Sequence, residues 1–267
     1  MKTALNKDGK PVAVTNRPLT TGVGDKTRPA WSPDGKYLIY SAPAVNGSLA
    51  NGLDIWRISI TGGDPVDLSN REGDETDAAW SPDGKMICFT AVESKTGKKQ
   101  LYLMDADGRN IRPIASGYQE SQGVWSPDGR TLFFVITSGS ANYFALRAAD
   151  AGYTKVNPFD TNQSHGRLGQ VTDPAFSSDG SRVAYTRTKN RDRWIGIVEY
   201  QSRGANFSLV TKTGKDYDPT WSPDGRWIAF TSERDGIPQI YIMTAAGLIQ
   251  NGVSELTASS KDASWQP

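Results

Sequence analysis

One five-residue phrase constrains this chain more than any other feature. Trp31-Ser32-Pro33-Asp34-Gly35 reads W-S-P-D-G, and it returns at Trp80, Trp125 and Trp221. A worn copy, F-S-S-D-G, begins at Phe176, and a cut-off copy ends the chain as Trp265-Gln266-Pro267. The anchors are spaced by 49, 45, 51, 45 and 44 residues. A period in this range marks a repeat array. The apolar runs after each anchor, such as Leu132–Ile136 and Trp227–Phe230, are short and rich in aromatic and β-branched residues, which predicts strands. Between the strands, S-P-D-G suits a tight hairpin: Pro presets φ, Asp tolerates unusual backbone angles, and Gly accepts positive φ. Two further strands follow in each unit, for example Gln239–Met243 and Val253–Thr257. Four antiparallel strands in ~45 residues make one propeller blade.

The expected architecture is an all-β, six-bladed propeller in a single domain spanning residues 1–267. Five full repeats cover residues 31–264. A sixth, composite blade closes the ring from both termini, with strands near Lys2–Leu5 and Pro11–Thr15 meeting the C-terminal strand Asp262–Trp265. No stretch of sequence supplies the second strand of that blade. The S-P-D-G turns fall on one face of the disc. The variable connections, among them Ser41–Gly52, Phe159–Gln170 and Arg187–Asp192, fall on the other, where binding residues are expected because function concentrates on loops held by a rigid scaffold.

The phrase W-S-P-D-G, taken with I-A-F-T-S at Ile228–Ser232, I-Y-I-M at Ile240–Met243 and E-L-T at Glu255–Thr257, resembles the TolB-type (WD40-like, PD40) propeller repeat. The resemblance covers nearly the whole chain. It implies a bacterial module that binds other proteins of the cell envelope without catalysis. It also implies a periplasmic or cell-surface location if an export signal has been removed, and a cytoplasmic one otherwise. The separate N-terminal α/β domain of TolB has no counterpart in these residues.

Composition narrows the partners. Formal net charge is +1, so no strong global field favours nucleic acid or an anionic membrane. No apolar run approaches the ~18 residues that span a bilayer. The lone Cys88 sits in an apolar strand and reads as a core residue. A monomer that binds a protein or peptide is the expected state.

Candidate site residues follow from the repeat. Three positions before each anchor stand Arg28, Asp77, Gln122, Asp173, Asp218 and Asp262. These six should ring the channel mouth on the long-loop face. Asp77, Asp173, Asp218 and Asp262 are a candidate Ca²⁺ site, since calcium takes several oxygen ligands. The plainer alternative is that each accepts backbone N–H groups at its strand entry. In the latter case no cofactor is implied. Arg187 and Arg191, in T-R-T-K-N-R-D-R, are candidate partner contacts with local charge complementarity. His165 and Arg167, on the Phe159–Gln170 loop, complete the candidate face. One histidine cannot build the histidine-rich metal site of the related oligogalacturonate lyases. No G-x-S-x-G nucleophile elbow occurs, so a catalytic residue is not expected. Two other readings remain open: a glycan-binding protein or carbohydrate-active lyase, and a sensor domain of a larger membrane-anchored protein.

Overall fold

A computed structural model describes residues 2–5, 11–14, 18–21, 24–44, 48–93, 95–114, 118–139, 141–148, 157–159, 170–202, 206–248, 250–253 and 261–267. The strands β1 (Lys2–Leu5) and β2 (Pro11–Val14) pair antiparallel with each other. Five four-stranded blades follow. Blade one is β3 (Thr27–Trp31), β4 (Tyr37–Ala44), β5 (Ser48–Ser59) and β6 (Val66–Asp67). Blade two is β7 (Glu75–Trp80), β8 (Met86–Val92), β9 (Lys99–Asp105) and β10 (Arg112–Pro113). Blade three is β11 (Gln119–Trp125), β12 (Thr131–Ser138), β13 (Ala141–Ala148) and β14 (Asn157–Pro158). Blade four is β15 (Gln170–Phe176), β16 (Arg182–Lys189), β17 (Asp192–Glu199) and β18 (Phe207–Leu209). Blade five is β19 (Asp216–Trp221), β20 (Trp227–Ser232), β21 (Gln239–Thr244) and β22 (Asn251–Gly252).

The repeat phrase forms the expected turn. Ser32 Oγ donates to Asp34 Oδ1 at 2.7 Å and accepts from the Tyr37 amide at 2.9 Å, while Asp34 Oδ1 also accepts from the Lys36 amide at 3.1 Å. Gly35 takes φ of 68°, a conformation in which any Cβ is strained. The same serine–aspartate bond recurs at Ser81, Ser126, Ser177 and Ser222. Each turn also clasps its neighbour: Pro33 lies against Gly84, Pro82 against Gly129, and Pro127 against Gly180.

Packing explains why the second strands are continuously apolar. Both faces of a central strand are buried, each against a different blade. Leu132, Phe134 and Ile136 of β12 pack with Leu101, Leu103 and Cys88 of blade two. Phe133 and Val135 of the same strand pack with Val171, Val183 and Tyr185 of blade four. Trp125 is 8 % exposed and its indole N–H donates to the Ala79 carbonyl of the preceding blade at 3.2 Å. The repeat tryptophan is thus a bolt between blades.

The expected count of six blades is corrected to five. Among the described residues, β1 and β2 join no other strand, and residues 261–267 form none. The reason is the missing second strand. In every blade that strand lies between the first and the third, so without it the C-terminal segment and β1 have no ladder to share. The segment is held in the seam between blades five and one by side chains instead. The Trp265 indole donates to the Thr220 carbonyl at 3.1 Å, Asp262 Oδ2 accepts from the Arg28 amide at 3.3 Å, and Pro267 lies on Gly35.

Two smaller corrections concern connections. The loop expected over Ser41–Gly52 is mostly strand, since β4 and β5 extend into it. The fourth strand of blade five, expected at Val253–Thr257, lies at Asn251–Gly252; residues 254–260 lie outside the described set.

Candidate functional site

The six ring residues share one backbone conformation. Arg28, Asp77, Gln122, Asp173, Asp218 and Asp262 all have φ between 52 and 56°. In the five complete blades each sits at a register shift where the first strand breaks its pairing with the second, as between Thr172 and Ala175. Such a bulge re-aims a side chain. Asp tolerates the left-handed region better than most residues, so the frequency of Asp at this position is itself a trace of the bulge. Below the ring the wall is small and mostly apolar: Ala30, Ala79, Val124, Ala175, Thr220 and Ser264 line, with the ring, a cavity of about 230 Å³.

Bulging takes the ring amides out of the ladder, and four of them find partners in two ways. Gln122 and Asp218 donate their amides to Thr90 Oγ1 and Thr186 Oγ1 of the preceding blade, at 2.9 and 3.1 Å. Arg28 and Asp173 donate theirs to ring side chains, Asp262 Oδ2 at 3.3 Å and Gln122 Oε1 at 3.0 Å. Asp262 thus accepts a backbone N–H from another blade's first strand rather than from a strand of its own.

The carboxylates converge on Arg28. Its Nη1 lies 2.6 Å from Asp218 Oδ1 and 3.2 Å from Asp173 Oδ1, and its Nε lies 3.4 Å from Asp77 Oδ1. Gln122 Nε2 donates to Asp173 Oδ1 at 2.7 Å. Burial alone would lower the Arg28 pKa. The charges of Asp173, Asp218, Asp77 and Asp262 outweigh it and hold the guanidinium above the ordinary arginine value. Asp218 moves the other way, pushed up to about 8 by burial and by Asp173 against the pull of Arg28. The mouth is therefore a net-anionic ring that carries its own cation. Among the described residues no three His, Cys, Asp or Glu side chains are grouped so as to hold a metal ion.

Arg187 and Arg191 lie apart from this ring, on the hairpin between β16 and β17. His165 and Arg167 fall outside the described residues. Sequence reasoning missed a third set. Glu75, Glu120 and Asp216, each two residues before a ring position, are fully buried. Their signal was an acid recurring two residues before the ring position in three of the first strands. Asp216 is held by Arg234 at 3.0 Å. Both Glu75 oxygens are buried without a hydrogen bond among the described residues, with Arg71 Nε 3.8 Å away. Burial first, then the nearby charge of Asp54, pushes the Glu75 carboxyl up to about 8.

Comparison with known proteins adds the following. The family model described as the TolB beta propeller domain (PD40) matches residues 12–164 and 154–267. A Bacillus subtilis protein named uncharacterized peptidase YuxL is 32 % identical over 103 residues, which are 36 % of this chain and 16 % of that protein. The Tol-Pal system protein TolB of Syntrophus aciditrophicus is 33 % identical over 70 residues, 25 % of this chain and 16 % of that one. In structure the chain is similar to TolB from Acinetobacter baumannii, with a TM-score of 0.80 at 20 % identity, over 99 % of this chain and 62 % of that chain. The chain thus matches less than two thirds of the length of each of these three relatives.

Proposed function

The chain belongs to the TolB β-propeller family, and from that premise we propose that it is a non-catalytic module whose long-loop face and channel mouth hold a protein or peptide. The observation that carries this reading is the ring itself. Arg28 sits between Asp77, Asp173 and Asp218 on a rigid bulge repeated from blade to blade. A preorganised anionic mouth over a narrow apolar wall suits a cationic side chain presented by a partner, which exchanges with Arg28 as counter-ion. The similarity to Tol-Pal system proteins supports a partner in the cell envelope and a location in the periplasm or at the cell surface.

The test is retention of proteins from an envelope extract on the chain coupled through Lys36→Cys, on the S-P-D-G face, followed by purification of the retained protein. Its affinity should fall about tenfold for Asp77→Asn, which removes one mouth charge without changing shape. Cleavage of polyuronates by the wild-type chain, with no protein retained, would replace this reading with the lyase reading.

A further inference from the structure

A basic patch outside the mouth lies on blade four. The strands β16 and β17 meet in a two-residue turn, Asn190-Arg191, flanked by the pair Lys189↔Asp192. Both central residues are left-handed, with φ of 53 and 74°. A turn of this kind takes Gly at its second position with least strain, and here Arg stands instead. The hairpin carries Arg187, Lys189, Arg191 and Arg193. The connection leading to β19 adds Lys212 and Lys215, and it is tied to the hairpin by the Arg193 amide, which donates to the Gly214 carbonyl at 2.8 Å.

Against these six basic residues stand Asp192 and Glu233. Glu233 is already engaged, at 2.9 Å from Arg193 Nη2, and it accepts from the Tyr217 hydroxyl at 3.0 Å. Among the described residues the side chains of Lys189, Arg191, Lys212 and Lys215 make no ion pair or hydrogen bond, and all four are exposed. The patch is continuous with the mouth. Arg193 lies over the Tyr217 ring at 3.8 Å, and Tyr217 immediately precedes Asp218 of the ring. The amide of Asp218 meets Thr186 of β16, and the hairpin tip stands four residues up that strand, roughly 13 Å away at strand rise.

We infer that the blade-four hairpin docks acidic residues of the same partner whose cationic residue enters the mouth, so that the ligand is a dipolar polypeptide segment. This rests on the reading of the long-loop face as a protein-binding surface. The 13 Å step corresponds to about four residues of extended chain, which sets the spacing between the basic residue and the acidic run. A polyanion is disfavoured. A membrane surface or nucleic acid laid on the hairpin would cover the anionic mouth on the same face and bury its carboxylates beside like charge.

The experiment titrates the whole chain with three fluorescent peptides and with vesicles of phosphatidylglycerol in phosphatidylcholine. One peptide carries a lysine and, about four residues on, a run of glutamates. The second keeps only the lysine, and the third only the glutamates. The dipolar peptide should bind at least about tenfold more tightly than either single-sign peptide. The double variant Lys189→Gln/Arg191→Gln, both at exposed positions, should remove most of that advantage and leave the lysine peptide within about twofold. Equal binding of the dipolar and lysine peptides, with no effect of the double variant, would overturn the hairpin's role while leaving the mouth reading intact. Binding of none of the peptides would overturn both. Tighter binding to anionic vesicles than to the dipolar peptide would assign the patch to a membrane surface and overturn the inference.

Discussion

Arg28 is the residue on which the candidate site turns. It stands as a tethered cation among the aspartates of the ring. Truncation to Ala leaves Asp173 and Asp218 facing each other without compensation. The expected loss is about 2 kcal/mol, below the 3–5 of a fully buried pair because the side chain is 35 % exposed. Thermal denaturation with and without millimolar CaCl₂ checks the counter-ion role. Calcium should raise the melting temperature of Arg28→Ala, by linkage to the native state, and leave the wild type where it was. An equal gain in both proteins would mean that the ion binds elsewhere and that Arg28 is not its substitute. The ring positions themselves were legible from the repeat, because the chain places a polar residue at the same distance before each anchor. Arg28 breaking the ring and pairing with a neighbouring aspartate was legible too; its gathering of three aspartates from three blades was not. It depends on a left-handed backbone angle at every copy, and Arg28 and Gln122 carry no local preference for it.

At the scale of the element, the first strands do more than line the channel. The strand β7 carries Asp77 to the mouth and buries Glu75 two residues earlier, on the side facing Asp54 and Arg71. A carboxyl whose folded pKa is raised binds its proton more tightly in the native state. Its contribution is intact below the unfolded value of 4.5 and is lost as pH rises through about 8. Asp218 on β19 has the same sign over nearly the same window. The wild-type melting temperature should therefore fall as pH rises from about 4.5 to about 8 and level off above that. Glu75→Gln, which mimics the protonated acid, should fall less steeply, and a slope equal to the wild type's would assign the effect to Asp218 alone. Hairpin turns of the S-P-D-G type were readable because their chemistry is local: serine, aspartate and glycine bond within a handful of residues. The outer strands were placed less well. With two residues in β6, β10, β14 and β22, there is no periodicity to read, and their positions are set by the neighbouring strand. Such short edges also leave little backbone for another chain to pair with.

For the whole molecule, the seam between blades five and one is the place where the repeat fails to complete itself. Five blades were readable because each has all its strands in sequence, whereas closure depends on contacts between residues more than two hundred positions apart. Among the described residues of the segment, Asp262, Gln266 and Pro267 reach blade one, while Trp265 holds blade five. Deleting Ala263–Pro267 removes the indole from Thr220 and uncovers blade one. The melting temperature should drop by roughly 10 °C, the loss of one large packed aromatic in a domain of this size. Light scattering on the same sample should show aggregation as sheet faces open. An unchanged melting temperature would mean that the blades are held by their own interfaces and the seam contributes nothing.

The reach of Arg28 also has a consequence in time. Its guanidinium bonds Asp218, 190 residues further along the chain. A ribosome adding about 5–20 residues per second needs roughly 10–40 s to cover that interval. For most of it, from the completion of β6 at Asp67 onward, the first blade exists with a cation that has no finished mouth to enter. Each aspartate then arrives in the order of its blade. The charge centre is complete only when nearly the whole propeller has emerged, so the competent mouth is a late product of synthesis, and a chain stalled after its third blade carries the arginine without Asp173 or Asp218.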